Sequence, residues 1–377
     1  MREVVPKQDL VDTKRLLLSE LRALARTPEH DLERGARAVF AESTECAVSH
    51  PTNRLRGVEE VVRRFLAPMK RALPDLERRD DIVLGGEFAG GSWIAATGYY
   101  YGTLSQDWLG LPASGRWLYV RFGEFYRLEG RRVVDAYVLL DLVDILRQLG
   151  INPLPTSRGV EGLSPGPATH DGVLLTAQSP TESARSGGLV DAMIVEGLMS
   201  YDQVDHASIG MERYWHPDMM WYGPAGIGTT RGLTGFLTYH QHPWQEAYPD
   251  YVAEPAGIDV SRGPAGLRAY HEQPWQRADG DYKGGRDLAR LAEGQYVAWS
   301  GWPATCATHR GGPLFGLEAS GKRFTIRIMD FWRRDGDLLA ENWVFIDIPH
   351  MLLQLGRDVL AEARDRAGGR RDAREHT

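Results

Sequence analysis

The sequence predicts an α+β protein made of two copies of one domain, each a curved antiparallel sheet wrapped over N-terminal helices. Three observations lead there. Residues 115–150 (GRWLYVRFGEFYRLEGRRVVDAYVLLDLVDILRQLG) and 321–356 (GKRFTIRIMDFWRRDGDLLAENWVFIDIPHMLLQLG) align without a gap at an offset of 206, and a repeat of that length marks a repeated structural unit. Upstream, Arg56-Gly57 matches Arg231-Gly232 and Pro74-Asp75 matches Pro249-Asp250, both at an offset of 175. Each copy also runs in one order, helical periodicity first and strand patterns after.

Taken along the chain, the opening MREVVPKQDLVDTKRLLLSELRALAR mixes charge into an apolar pattern. It reads as an amphipathic helix and not as a signal peptide. Helical stretches are expected around 8–40 and 187–214, and an amphipathic helix between the marks at offset 175. Strands follow over 79–104 and 291–309. In the second copy Phe324 to Arg333 is a long strand, Asp335-Gly336-Asp337 a hairpin turn and Leu338 to Asp347 the return strand. Pro349 then opens a helix with Met351, Leu352, Leu355 and Val359 on one face. The first copy turns at Glu129-Gly130.

The difference between the two offsets means that the second copy holds an insertion of about 31 residues, near 251–282. RGLTGFLTYHQHPWQEAYPDY (231–251) recurs as RGPAGLRAYHEQPWQRADGDY (262–282), so a short tandem duplication explains it. It adds an extra helix, either a lid or a spacer. The Pro, Gly, Ser and Thr-rich stretch 151–186 reads as a linker. The domains are thus 1–150, the linker, 187–362, and a charged tail over 363–377 expected to be disordered.

Composition narrows the function. A hydrophobic fraction of 42% and a charged fraction of 25% are ordinary for a soluble globular protein. A net charge of −7 with no basic stripe argues against nucleic acid. No apolar run reaches the roughly 20 residues of a membrane span. Cys46 and Cys306 fall one in each copy with no metal or disulfide spacing, which suits a reducing cytoplasm. No nucleotide-binding glycine loop or nucleophile elbow follows a strand.

The segments Met329-Asp330-Phe331-Trp332-Arg333, Glu341-Asn342-Trp343, Asp347 and Gln354-Leu355-Gly356, with HPDMMWYGPAGIGTTRG (216–232), resemble SnoaL-like polyketide cyclases of the nuclear-transport-factor-2-like superfamily. The resemblance covers nearly all of 187–362 apart from the insertion, and the first copy more weakly, mostly 50–150. It implies two cone-shaped α+β barrels, each with an apolar pocket between sheet and helices. It also implies chemistry without a metal or organic cofactor, in which a buried Asp or His moves a proton. The fold itself hosts many reactions and non-enzymes.

Each candidate residue has a functional and a structural reading. Asp330 shares a strand face with Ile326, Ile328 and Trp332, and the first copy keeps an acid, Glu124. Either it faces an apolar pocket as an acid/base, or it pairs with Arg327 or Arg333 outside. His240 replaces Phe65 of the first copy and His242 replaces Ala67. Either they line the pocket, or they sit at the end of a helix that Pro243 stops. Asp347 is a substrate contact or a helix cap, and Asp141 matches it. His309, Tyr222 and His216 line the pocket or serve structure.

Tryptophans number three in the first half and eight in the second. Trp299, Trp302, Trp332 and Trp343 would wall a ring-bearing substrate, or fill core. No spacing supplies a zinc site.

Two functions follow. In the first, the second copy is a cofactor-independent enzyme. Asp330, helped by His240, moves a proton on a hydrophobic, aromatic or polyketide-like oxygenated molecule, as a cyclase, isomerase, or retro-aldol or dehydrating lyase. The first copy is then a degenerate partner in an intrachain pseudo-dimer, with room for further homo-oligomerisation. In the second, the chain is a non-catalytic small-molecule-binding or assembly module.

Overall fold

Apolar side chains on alternate positions of the long strands bury one face against helices and the other against a second sheet, and this organises the two bodies. The computed structural model describes residues 7–202, 204–251, 260–271 and 287–375. In the first body, helices α1 (Lys7–Arg26) and α2 (Leu32–Val39) precede strands β1 (Phe40–Val48) and β2 (Asn53–Arg56). Helices α3 (Gly57–Val61) and α4 (Ala67–Ala72) flank a wider π-type turn over Val62–Leu66. Then come β3 (Glu77–Phe88), β4 (Gly91–Thr103), β5 (Trp117–Glu129), β6 (Arg132–Leu140) and α5 (Leu142–Gln148).

The second body repeats this with α6 (Pro180–Ala192), β7 (Trp215–Tyr222), β8 (Thr230–Arg231), and α7 (Gly232–Phe236) and α8 (His242–Ala247) around a π-type turn at Leu237–Gln241. Helix α9 (Pro264–His271) lies within the insertion; its other residues, Pro274-Trp275-Gln276 of the duplication among them, fall mostly outside the described residues. Strands β9 (Asp287–Glu293), β10 (Tyr296–Thr308), β11 (Arg323–Asp335) and β12 (Leu338–Ile346) lead to α10 (Ile348–Leu355) and α11 (Val359–Glu375).

Among the described residues both sheets have six strands in the same order, β2-β1-β6-β5-β4-β3 and β8-β7-β12-β11-β10-β9. They are mixed and open, where the sequence suggested antiparallel, closed ones. β1 runs parallel to β6, and β7 to β12, because the first strand of each body inserts beside the last. The copies keep register: Ala96 opposes Glu124 as Trp299 opposes Asp330. The hairpin glycines Gly130 and Gly336 take φ of 59° and 57°, which a side chain would strain.

Three clusters hold the molecule. One fills the first body under its helices and another fills the second. The third joins the outer faces of the two sheets, with Trp93, Phe125, Tyr137 and Leu139 against Trp302, Phe331, Trp343 and Phe345. Gly123 marks a close approach, since a Cβ there would lie 2.9 Å from the Phe345 ring. Sheet-on-sheet packing of alternating apolar faces is a common way to cover such surfaces.

Hydrogen bonds cross between the bodies in matched pairs. Ala225 N donates to Asp141 Oδ2 at 2.9 Å, and His50 N donates to Asp347 Oδ2 at 2.9 Å. Residues 50 and 225 are one column of the repeat at offset 175. Lys14, fully buried, bonds both carboxylate oxygens of Glu293 across the same junction, at 2.5 and 2.6 Å.

The linker is a strap over this junction. Trp343 Nε1 donates to Pro165 O at 2.7 Å, and Val173 bridges to Val83. The tail expected to be disordered is helical to Glu375. Leu360, Ala363 and Ala367 share one helix face and are buried in the core of the first body. Charge dominates that segment, so its narrow apolar stripe is easily missed.

Candidate active site

Asp330 lies on the even-numbered face of β11, which faces the core of the second body with Ile326, Ile328 and Trp332. Its neighbours across the strands are Trp299 and Val344. Among the described residues one donor reaches its carboxylate, Asn342 Nδ2 at 3.1 Å, which also donates to Phe331 O at 3.0 Å. Burial pushes the Asp330 carboxyl up to about 7, and the Asn342 hydrogen bond opposes that only in part. Burial and the charge of Asp330 both push the Tyr251 phenol up, so Tyr251 belongs to the same neighbourhood.

The equivalent position in the first body is built differently. Glu124 accepts from Arg78 Nη1 at 2.6 Å, Tyr100 OH at 2.7 Å and Tyr126 OH at 2.6 Å. The void beside this network measures about 30 Å³, room for about one water. At offset 206 Tyr126 becomes Trp332 and Ala136 becomes Asn342, and by register Tyr100 becomes Thr305. The second body therefore holds a shorter acid with its tyrosine donors gone. Trp332 Nε1, on the same face, has no hydrogen-bond partner among the described residues.

The structure does not join His240 to Asp330 by a hydrogen bond among the described residues. The imidazole stacks on Trp221, ring centroids 4.1 Å apart, and meets Phe236 and Trp244 at 5.6 Å. Burial pushes it down to about 3, so it is a neutral ring at pH 7. It sits in the π-type turn over Leu237–Gln241, the counterpart of Val62–Leu66, where the matching Phe65 lines the void beside Glu124. His240 lines a cleft of about 280 Å³ with Tyr239, Trp244, Ile227 and Phe315. Trp244 also meets Tyr251, at 5.7 Å, so ring contacts run from the cleft toward Asp330.

The other expected contacts divide by strand parity. Trp299 packs against the inner core and Trp332 belongs to it. Trp302, Trp343 and Tyr222 lie instead in the cluster between the sheets. Arg327 covers the Trp302 ring, and Tyr222 stacks on Trp343 and donates to Glu341 Oε1 at 3.1 Å. These three are interface residues and not pocket walls, because each sits an odd number of positions from an inward residue of its own strand or of its paired neighbour.

Asp347 caps α10, accepting from His350 N at 3.2 Å, and takes Arg327 and His50 on its other oxygen. It is a cap and a junction, and the substrate reading fails for it. His309, fully buried, meets Tyr248 edge-on and sits near Gly312 O and Ser320 within its own loop. His242 stacks on His206 at 4.2 Å, away from the cleft, and His216 is exposed. Sequence reasoning missed Asn342 and Tyr251. The change from Ala136 to Asn342 between copies was the available signal for the first.

Residues 21–149 match the family model of SnoaL-like polyketide cyclases. The second body repeats the strand order and register of that segment. The first body thus matches the SnoaL-like family model, and the two similar sheet bodies fit a tandem arrangement of that unit. The match falls on the first domain, where the sequence motifs were weaker.

Solved structures similar to the chain include IdmH from Streptomyces antibioticus, with 19% identity over 37% of this chain and 99% of that one, TM-score 0.32. TsrD from Streptomyces laurentii has 21% identity over 37% and 96%, TM-score 0.31. A phenazine biosynthesis-related protein from Pseudomonas aeruginosa has 18% identity over 42% and 98%, TM-score 0.30. No curated protein matches. The family match supports a cyclase-type function in general. Among the described residues no helix is long and apolar enough to cross a membrane, and no group of three His, Cys, Asp or Glu could hold a metal ion.

Proposed function

We propose that the second SnoaL-like domain catalyses proton transfer on a hydrophobic, oxygenated, ring-bearing small molecule, with Asp330 as the general acid/base. The observation that carries this is the contrast between the two acids. Glu124 is closed off by an arginine and two tyrosines, whereas Asp330 sits among aromatic side chains, with one carboxamide donor among the described residues and a carboxyl pushed up to about 7. A group that titrates near working pH both takes and returns a proton efficiently.

The chemistry is removal of a proton from a carbon beside a carbonyl by the Asp330 carboxylate. The resulting enolate closes a ring by attack on a second carbonyl, whose oxygen takes the proton back from the Asp330 carboxylic acid, or is itself reprotonated at carbon by that acid. Asn342 orients the carboxylate, and Trp299 and Trp332 offer ring surfaces beside it. The first domain supports the fold of the second and covers its sheet.

The test follows solvent deuterium into a panel of bicyclic and tricyclic aromatic ketones by NMR, so no reaction direction is assumed. Wild-type protein should accelerate exchange at the carbon next to the carbonyl, and Asp330→Asn should remove at least about 100-fold of that rate. Exchange by a folded Asp330→Asn protein at the wild-type rate would exclude this assignment.

A further inference from the structure

The segment after each Gln-Leu-Gly crosses to the other domain. After Gly356, α11 lies on the first domain, where Leu360, Ala363 and Ala367 are buried and Arg364 Nη1 approaches Leu109 O at 3.5 Å. After Gly150, a coil lies on the second, with Gly159 N donating to Ile227 O at 3.1 Å and Val160 bridging to Thr229. Arg158 and Arg364 occupy one column of the repeat at offset 206. The loops beneath also correspond, since a bridge joins Trp108 to Leu111 in one and Leu314 to Leu317 in the other.

The two slots are filled unequally. Under α11, the leucines leave about 10 Å³. Under the coil, about 280 Å³ stays open. Pro153 and Pro155 stand where α11 has Val359 and Ala361, and two prolines at this spacing do not continue a helix. The coil therefore roofs the slot without plugging it. An engineered apolar cavity of about 150 Å³ holds benzene, so this one has room for about two fused rings.

We propose that this cleft is a binding site for a planar aromatic carboxylate, distinct from Asp330, which does not line it. Its walls are Trp244, Phe315, Tyr239 and prolines 155, 243 and 313, flat surfaces on which rings stack. His240 presents a neutral imidazole to it. Arg158 stands exposed at the rim and makes no hydrogen bond or ion pair among the described residues. No carboxylate lines the cleft among those residues, so the one charge it offers is positive. A guanidinium takes a carboxylate through two parallel hydrogen bonds, while the rings lie between Trp244 and Phe315.

The test is calorimetric titration of the full-length protein with 2-naphthoate and, separately, with uncharged 2-naphthamide. Wild-type protein should bind one naphthoate. Arg158→Gln, an exposed position that folding tolerates, should weaken naphthoate about 10-fold and change naphthamide less than about 2-fold. Leu314→Trp, which fills the slot, should abolish both. Asp330→Asn should leave naphthoate affinity unchanged, which separates this site from the proton-transfer reading. No saturable naphthoate binding by wild-type protein, or equal affinity in the Arg158→Gln protein, overturns the proposal. So does a naphthoate affinity lost in Asp330→Asn and kept in Arg158→Gln, which would put the ligand at the inner site.

Discussion

A single methylene and a change of neighbours separate the two acids of this chain. Glu124 reaches Arg78, Tyr100 and Tyr126, and Asp330 reaches Asn342. Two outcomes follow at this scale. The first concerns pH. The Asp330 carboxyl stays protonated up to about 7 in the folded chain but ionises near its ordinary value when unfolded. Between roughly pH 4 and 7 the folded state holds the extra proton, so its contribution to stability is present at low pH and lost as pH rises through that window. Denaturant titrations of wild type and Asp330→Asn across pH 4 to 8 should show a wild-type decline, up to ~4 kcal/mol, that the variant lacks. Parallel curves would mean an ordinary carboxyl. The second concerns Asn342→Ala. It removes the donor that holds Asp330 down, so the rising limb of the deuterium-exchange rate should move up by about one pH unit. A limb left in place would mean that Asn342 does not tune the acid.

At the scale of elements, caps and turns do double duty across the repeat. Asp141 and Asp347 each cap a helix and each take a backbone N–H from the other domain. Asp347→Ala removes the cap and leaves the half-buried Arg327 guanidinium without its carboxylate. The expected loss is about 2–4 kcal/mol in chemical denaturation, well above the ~1 kcal/mol of an isolated cap. A loss near that smaller figure would show that the junction contributes little. The π-type turns matter at the same scale. They recur at Val62–Leu66 and Leu237–Gln241, at matching places of the repeat that carry Phe65 and His240. Strand alternation was legible in the sequence and sorts the tryptophans correctly once applied across paired strands: Trp299 and Trp332 inward, Trp302 and Trp343 outward.

For the whole molecule, the two domains share one structure because each completes the other. Outer sheet faces are buried against each other, and the extension of each domain lies on its neighbour. Ending the chain at residue 358 removes Leu360, Ala363 and Ala367 from the first core. The melting temperature should fall by several degrees with about 3 kcal/mol lost, and a hydrophobic dye should bind. An unchanged melting temperature would make α11 an ornament of the surface. Residues 187–362 expressed alone expose Trp302, Phe331, Trp343 and Phe345 and should aggregate or self-pair, read by light scattering. A monomeric, soluble fragment would contradict the mutual cover.

The sequence by itself determined the repeat, the α+β class, the place of Asp330 on an inward strand face and the cap at Asp347. These are local or periodic properties: a gap-free offset, a period of two, and an acid before a helix are written in adjacent residues. Tertiary structure alone decided that the sheets are mixed, that three aromatic side chains serve the interface, that α11 and the linker cross between domains, and that His240 stacks on Trp221. Each of those depends on which surfaces meet over long sequence separations.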